Sequence, residues 1–384
     1  MTPVAAGHGA ARDGWLGKSG EMGVRGSAGA LLTGSQPGRS RRSDRLLGGP
    51  DVKAAGNESE AAMLTRRQWI GAATAGTTVA ARAAEREPAG VKPGIIDSHT
   101  HFYDPSRPEG VPWPNPSNTA LHRTVLPPEW EGLAGPLGVT GTIVVEASPW
   151  VEDNQWLLDL ADRMARRRIF GMPAIVGIVG NLPLGSDGCG GLIDRFAAHK
   201  LFRGVRVSGA RLHEGLADAA FVADVGRLAD KGLALDVNGG DALAAAAAAA
   251  ARWPRLRIIV DHMGNPRITT AGPPDAWREA IARAAAHDRV FLKASGMPES
   301  VVRTGTAAPV PLDPAYYAPW LEIAWQAFGM RRLLFGSNWP VSTLAASYEQ
   351  VLAIPQAFAR GKGPEAERWL MASAAEAAYI RSDA

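Results

Sequence analysis

Residues 95–105 read IIDSHTHFYDP, a short run of apolar residues that changes into alternating polar and ionisable ones. An apolar run of this length predicts a buried strand. Because side chains alternate along a strand, Asp97, His99 and His101 are predicted to point to the same side. Two imidazoles held two residues apart at the end of a strand can coordinate one metal ion or hold one polar substrate group. This stretch therefore predicts a strand that ends in a polar site.

Seven further apolar runs follow, separated by longer segments with helical periodicity. The eight runs are residues 95–99, 141–146, 173–179, 203–207, 233–237, 257–261, 290–294 and 332–336. Alternating strands and helices indicate a parallel sheet, and eight such units suit an α/β fold of the (β/α)₈ or TIM-barrel type. We predict one such domain over residues 94–384. An open, doubly wound sheet is the alternative, but no Gly-x-Gly-x-x-Gly turn follows the first strand.

Two other runs also end in polar side chains. The sixth, RIIVDHMGNP, brings His262, and the eighth, LLFGSNWPV, brings Asn338. The carboxyl ends of all eight strands meet at one face of a barrel, and barrel active sites lie at that face. The sequence thus predicts that His99, His101 and His262 converge on one site.

These segments resemble the lactonase-like branch of the amidohydrolase superfamily, the amidohydrolase-related hydrolases of TIM-barrel fold. The resemblance runs from about Ile95 to Tyr348 and includes the K-x-S-G of FLKASGMPES and the G-S-x-W-P-V of the last strand. It implies that His99, His101 and His262 are metal ligands or groups that polarise the substrate. A divalent metal, zinc by preference, is the cofactor that it implies.

Asn338 departs from the pattern of that family, in which this position is typically an aspartate that binds metal and takes a proton from water. An amide is not basic near neutral pH and brings no charge to a metal. Three explanations remain: another carboxylate acts as the base, the chemistry differs, or the protein binds a ligand without turning it over. Glu146, in GTIVVEASPW, and Asp236, in LALDVNGG, are the candidate substitutes.

Two basic residues and several tryptophans are candidate substrate contacts. Arg206 and Lys293 end the fourth and seventh runs. They are expected either to offer positive charge to a carboxylate or oxyanion, or to pair with buried acids such as Glu146 and Asp236. Aromatic rings with polar edges suit flat cyclic substrates. The candidates among them are Trp113, Trp150 and Trp339.

The first 93 residues differ in composition from the rest of the chain. They hold 13 Lys and Arg against 8 Asp and Glu, whereas residues 94–384 hold 28 against 30, so the basic excess does not indicate a nucleic-acid partner. Residues 1–62 lack apolar periodicity and are predicted to be disordered or untranslated. Residues 63–84, MLTRRQWIGAATAGTTVAARAA, resemble a twin-arginine export signal. We expect a periplasmic protein with no stable membrane span, since the apolar stretch is short.

The function expected from the sequence is hydrolysis of a cyclic ester such as a sugar-acid lactone, a small-molecule substrate. Two alternatives keep the same fold: a decarboxylase or lyase, and an exported sugar-acid-binding protein that has lost catalysis. Fold alone does not separate them. Acid release from lactones would identify the hydrolase, carbon dioxide release the decarboxylase, and binding without turnover the binding protein. Nothing in the sequence specifies an oligomeric state.

Overall fold

The computed structural model describes residues 94–167, 171–303 and 308–380. The predicted leader, residues 1–62, and the predicted export signal, residues 63–84, lie outside the described residues. Within the described ranges no helix is long and apolar enough to cross a membrane.

Eight parallel strands form one sheet in the order in which they occur along the chain. They are β1 (Ile95–Thr100), β2 (Val139–Val145), β3 (Ala174–Gly180), β4 (Phe202–Ser208), β5 (Ala234–Asn238), β6 (Ile258–Val260), β7 (Val290–Ala294) and β8 (Leu333–Phe335). Every strand pairs in parallel with the next. The predicted (β/α)₈ fold is confirmed, and each of the eight predicted runs coincides with a strand.

Hydrogen bonds between the first strand and the segment after the last close the sheet into a barrel. The backbone N–H of Asn338 donates to the carbonyl of His99 at 2.8 Å, and that of His101 donates to the carbonyl of Trp339 at 2.8 Å. A doubly wound sheet keeps two free edges, so this closure excludes the alternative topology. It also places the residues after β8 directly beside the histidines of β1.

Helices surround the sheet. They are α1 (Pro127–Ala134), α2 (Val151–Arg167), α3 (Cys189–Ala197), α4 (Gly209–Gly215), α5 (Ala219–Asp230), α6 (Ala242–Arg252), α7 (Asp275–Ala285), α8 (Pro314–Phe328), α9 (Tyr348–Lys362), α10 (Pro364–Arg368) and α11 (Ala374–Tyr379). Their beginnings follow ordinary capping rules. The Asp218 side chain accepts hydrogen bonds from the first turn of α5, and Ser347 with Gln350 forms a capping box at α9.

The interior of the barrel has an apolar part and a polar part. Side chains near the strand beginnings, including Ile96, Ile259 and Phe291, pack with the alanines of α11 and with Tyr379. Further along the strands, the buried side chains include His99, Asp236, Asp261 and Lys293. The polar end of the barrel is therefore the end at which the strands finish. Active sites of barrel enzymes form at this end.

Candidate active site

The three predicted histidines lie together at the carboxyl ends of β1 and β6. The Nε2 atoms of His99 and His101 are 3.2 Å apart, and the ring centroids of His99 and His262 are 4.5 Å apart. His262 has a positive φ of 52°, a conformation that is uncommon for a residue other than glycine. Its Nδ1 is held by the hydroxyl of Ser295 at 2.9 Å. Such strain is retained where the surrounding structure requires it, as at functional sites.

The strand that carries His99 and His101 is irregular, and this changes the place of Asp97. The pairing register between β1 and β2 shifts between Asp97 and Thr100, as at a β-bulge. Asp97 therefore does not join the histidines, contrary to strict alternation. Its carboxylate accepts hydrogen bonds from Ser337 N–H at 2.8 Å and from the Tyr348 hydroxyl at 2.8 Å. Asp97 thus ties β1 to the segment after β8 and to α9.

Burial keeps the three imidazoles uncharged near neutral pH. Desolvation lowers the pKa of His101 to about 3 and that of His262 to about 4, and it lowers the pKa of His99 well below its usual range. His101 Nδ1 lies 2.9 Å from the carbonyl of Val145, so the N–H of this ring donates there. The Nε2 lone pair of His101 therefore faces His99. Neutral imidazoles can accept a proton or bind a metal ion.

Beneath the histidines, Lys293 is completely buried between two aspartates. Its Nζ lies 2.6 Å from Asp236 Oδ2, 2.9 Å from Asp261 Oδ1 and 3.2 Å from His99 Nδ1. The hydroxyl of Tyr379, from α11, donates to Asp236 Oδ2 at 2.7 Å. Burial raises the pKa of Asp236 to about 6, whereas the ammonium of Lys293 helps to hold that of Asp261 well below its usual range. Asp236 is thus ion-paired below the histidines.

Arg206 pairs with Glu146, which is one of the two roles that the sequence predicted for it. Its Nη2 lies 2.7 Å from Glu146 Oε1, its Nε donates to the same oxygen at 2.8 Å, and Nη2 also donates to the backbone carbonyl of Glu146 at 2.9 Å. Arg206 Nη1 is 3.9 Å from Asp261 Oδ2. A chain of alternating charges thus runs from Glu146 to Asp236. Both candidate substitutes for the missing aspartate already have a cationic partner.

Two carboxylates of this region were assigned no role from the sequence. Asp261 is one, although it stands directly before His262 at the end of β6, a position that could have signalled it. Glu299 is the other, and its Oε1 accepts a hydrogen bond of 2.9 Å from Asn338 Nδ2. Glu299 lies in FLKASGMPES, the segment quoted for its K-x-S-G pattern, but that pattern ends before Glu299 and assigned it no role.

The three candidate tryptophans occupy different environments. Trp113 lies beside the site, with its ring centroid 5.9 Å from that of His101 and 5.5 Å from that of Tyr103. Trp339 is completely buried, and its ring packs edge-on against Phe102. Trp150 is 39% exposed at the start of α2. The structure brings Trp113 to the histidines and places Trp339 in the core.

The donor set fits a divalent metal ion. His99, Asp261 and His262 each offer a ligand atom, and these atoms lie within 4.8 Å of one another. The 3.2 Å between the Nε2 atoms of His99 and His101 is close to the spacing of about 3.3 Å that two nitrogens adopt around tetrahedral zinc. Because the ammonium of Lys293 can only donate to His99 Nδ1, the neutral His99 ring carries its proton on Nε2, between the two imidazoles, and a bound cation would take the place of that proton. The group suited to a metal therefore includes Asp261 in addition to the predicted histidines.

Comparisons with known proteins agree with this fold. Residues 96–380 match the family model described as Amidohydrolase. A Burkholderia ambifaria protein named L-fucono-1,5-lactonase is 34% identical over 261 residues, which cover 66% of this chain and 82% of that protein. A Burkholderia multivorans protein of the same name is 30% identical over 285 residues, covering 71% and 91%.

A solved structure is also similar. The crystal structure of an amidohydrolase from Burkholderia multivorans with bound zinc aligns with a TM-score of 0.63 and 27% identity, covering 75% of this chain and all of that one. The match to the family model spans nearly the whole barrel. The chain therefore belongs to the amidohydrolase family and is a hydrolase.

Proposed function

We propose that this hydrolase opens the ester ring of sugar-acid 1,5-lactones to give the hydroxy acid. The observation that carries the proposal is the group of three imidazoles at the carboxyl end of the barrel, beside a buried cation. The class of ester follows from the two relatives named L-fucono-1,5-lactonase, at 34% and 30% identity.

The histidines are proposed to bind the ester carbonyl. Hydrolysis of an ester develops negative charge on the carbonyl oxygen, and groups already oriented toward that charge lower the barrier. The Nε2 atoms of His99 and His101 converge, and His262 lies against His99. We assign His99 and His262 to the carbonyl of the lactone, directly or through a metal ion. His101, whose Nε2 presents a lone pair, would act on that carbonyl through a metal ion.

Lys293 and Arg206 receive different roles. Lys293 has no exposed surface and already contacts two aspartates and His99, so it orients the site from below as a positioning residue. Arg206 keeps 11% of its side chain exposed while bound to Glu146. Its guanidinium is the cation available to a polar group of the substrate.

A zinc ion is the cofactor that we propose for this site. The residues that would hold it are His99, His101, His262 and Asp261. When bound, such an ion would supply Lewis-acid polarisation of the ester carbonyl. The zinc-containing relative from Burkholderia multivorans supports this choice.

Aromatic and polar side chains beside His101 are the candidates to contact the sugar ring. Tyr103, Trp113, Glu146 and Ser148 line a narrow cleft with room for about one water molecule, so these side chains would have to move apart to admit a sugar. A sugar lactone presents one flat ester group and several hydroxyls. Aromatic rings can cover the ring face while carboxylate and hydroxyl oxygens accept from its hydroxyl groups.

The proposal is tested by measuring acid release from a panel of sugar-acid lactones, including L-fucono-1,5-lactone, with correction for spontaneous hydrolysis. We expect turnover by the wild type and a loss of about 10²–10⁴-fold in His262→Gln. His213→Gln, at an exposed histidine of α4, is the matched control and should retain activity. Carbon dioxide release would instead favour a decarboxylase, and calorimetric binding without turnover would favour a binding protein.

A further inference from the structure

One carboxylate oxygen of Glu299 accepts a hydrogen bond, and the other does not. Its Oε1 accepts from Asn338 Nδ2 at 2.9 Å. Its Oε2 is buried and has no hydrogen-bond partner among the described residues. No cation within the described ranges forms an ion pair with Glu299. The side chain therefore presents a buried, unpartnered acceptor.

A buried carboxylate oxygen without a donor is unfavourable, and native proteins contain few such groups. Burial also raises the pKa of Glu299 above its usual value. Asp261 also has buried carboxylate oxygens without a hydrogen bond, but the neighbouring acids differ from Glu299 because each has a cationic partner. Glu146 contacts Arg206, whereas Asp236 and Asp261 both contact Lys293. Of these carboxylates, Glu299 alone lacks an opposing cation in the part of the chain that the structure describes.

The position of Glu299 connects it to the site on two sides. The segment after β7 that carries it passes close to His262, since a Cβ atom added at Gly296 would lie 2.8 Å from atoms of that histidine. Its partner Asn338 follows β8, has a positive φ of 58°, and donates its backbone N–H to His99. Glu299 is thus joined to the segments that hold two of the three histidines.

The amide of Asn338 suits a neighbouring carboxylate. A carboxylate at residue 338 would face that of Glu299 at hydrogen-bond distance, and two like charges at such a separation destabilise each other. An amide instead donates an N–H and leaves the second oxygen of Glu299 free. Asn338 therefore orients Glu299, which lies in the segment after β7.

We propose that Glu299 is the general base of the hydrolysis and that Asn338 is its positioning residue. This inference rests on the proposed lactone hydrolysis. Glu299 Oε2 takes a proton from water as the water oxygen bonds to the lactone carbonyl carbon. The tetrahedral intermediate then collapses, the bond from that carbon to the ring oxygen breaks, and Glu299 returns the proton to the leaving alkoxide. The product is the hydroxy acid, and Glu299 is again a carboxylate.

Glu299→Gln is the decisive variant, because glutamine keeps an oxygen that accepts from Asn338 but has no basic group. We expect kcat on L-fucono-1,5-lactone to fall about 10²–10⁴-fold with little change in KM. We expect Tm to be unchanged or higher, since a buried unpaired charge is removed. A residue with only a structural role would lower Tm instead. Glu214→Gln, at an exposed glutamate of α4, is the matched control.

Glu299→Ala with added formate provides a second measurement. Formate can occupy the vacated space and act as the base, so partial recovery of the rate is expected. The base assignment is overturned if the wild type is active and Glu299→Gln stays within about tenfold of it, or if lost activity accompanies a lower Tm and formate restores none. A wild type that hydrolyses no lactone overturns the proposed function, and this assignment with it, as a separate result.

Discussion

Replacing Lys293 by methionine tests the charge network beneath the histidines. The Lys293 ammonium lies within 3 Å of carboxylate oxygens of both Asp236 and Asp261, and all three side chains are completely buried. Methionine keeps most of the volume of the side chain but removes the charge. Two buried carboxylates would then face each other, with the Tyr379 hydroxyl still bound to Asp236.

The magnitude follows from the cost of breaking a buried pair, about 3–5 kcal/mol. The pKa of Asp236 is already raised to about 6, so this group can take up a proton near neutral pH and relieve part of the repulsion. We therefore expect the lower part of the range, about 3 kcal/mol. For a domain of this size such a loss corresponds to a fall in Tm of about 6–12 °C.

The assay is urea unfolding at pH 7 in the presence of a chelator, so that metal binding does not contribute to the free energy of unfolding. Lys362→Met is the control, because Lys362 forms a partly exposed ion pair with Glu322 and should lose about 0–1 kcal/mol. In a double-mutant cycle, adding Asp236→Asn to Lys293→Met should cost less than the sum of the single changes. Equal losses in Lys293→Met and Lys362→Met would refute the reasoning.

Four further predictions concern other parts of the chain. The pKa values of His101 and His262 lie below the unfolded value of 6.5, so the unfolded chain binds more protons than the folded chain below that pH. In chelated protein, the free energy of unfolding measured in urea should therefore fall as pH is lowered from about 6.5 to 5. Tyr379→Phe should cost about 1–3 kcal/mol in the same assay, because it removes a donor from Asp236; no loss would contradict the assigned contact. Elemental analysis should find zinc in the purified protein, and chelation should lower Tm, which added zinc restores. Finally, we propose export by the twin-arginine route; replacing Arg66 and Arg67 by lysine should retain the protein in the cytoplasm, as fractionation would show, whereas unchanged export would contradict the signal.

The sequence by itself determined the fold and the place of the histidines. Each strand carries its own apolar run, and each run ends at the same face of a closed parallel barrel, so local pattern was enough. His99, His101 and His262 could be assigned to one face for that reason. Asp97 could not be placed correctly, because a bulge between β1 and β2 breaks the two-residue alternation on which its prediction depended.

Only the tertiary structure decided how the buried charges pair. Lys293 and Asp236 are separated by 57 residues, Asp236 and Tyr379 by 143, and Asn338 and Glu299 by 39. The sequence showed that Glu146 and Asp236 were acids near strand ends, but it left open whether they faced cations or water. Strand register and barrel closure bring such groups within 3 Å of each other or keep them apart. Coulomb and hydrogen-bond energies depend on those distances. The roles of Asp261 and Glu299 could therefore be assigned only from the tertiary structure.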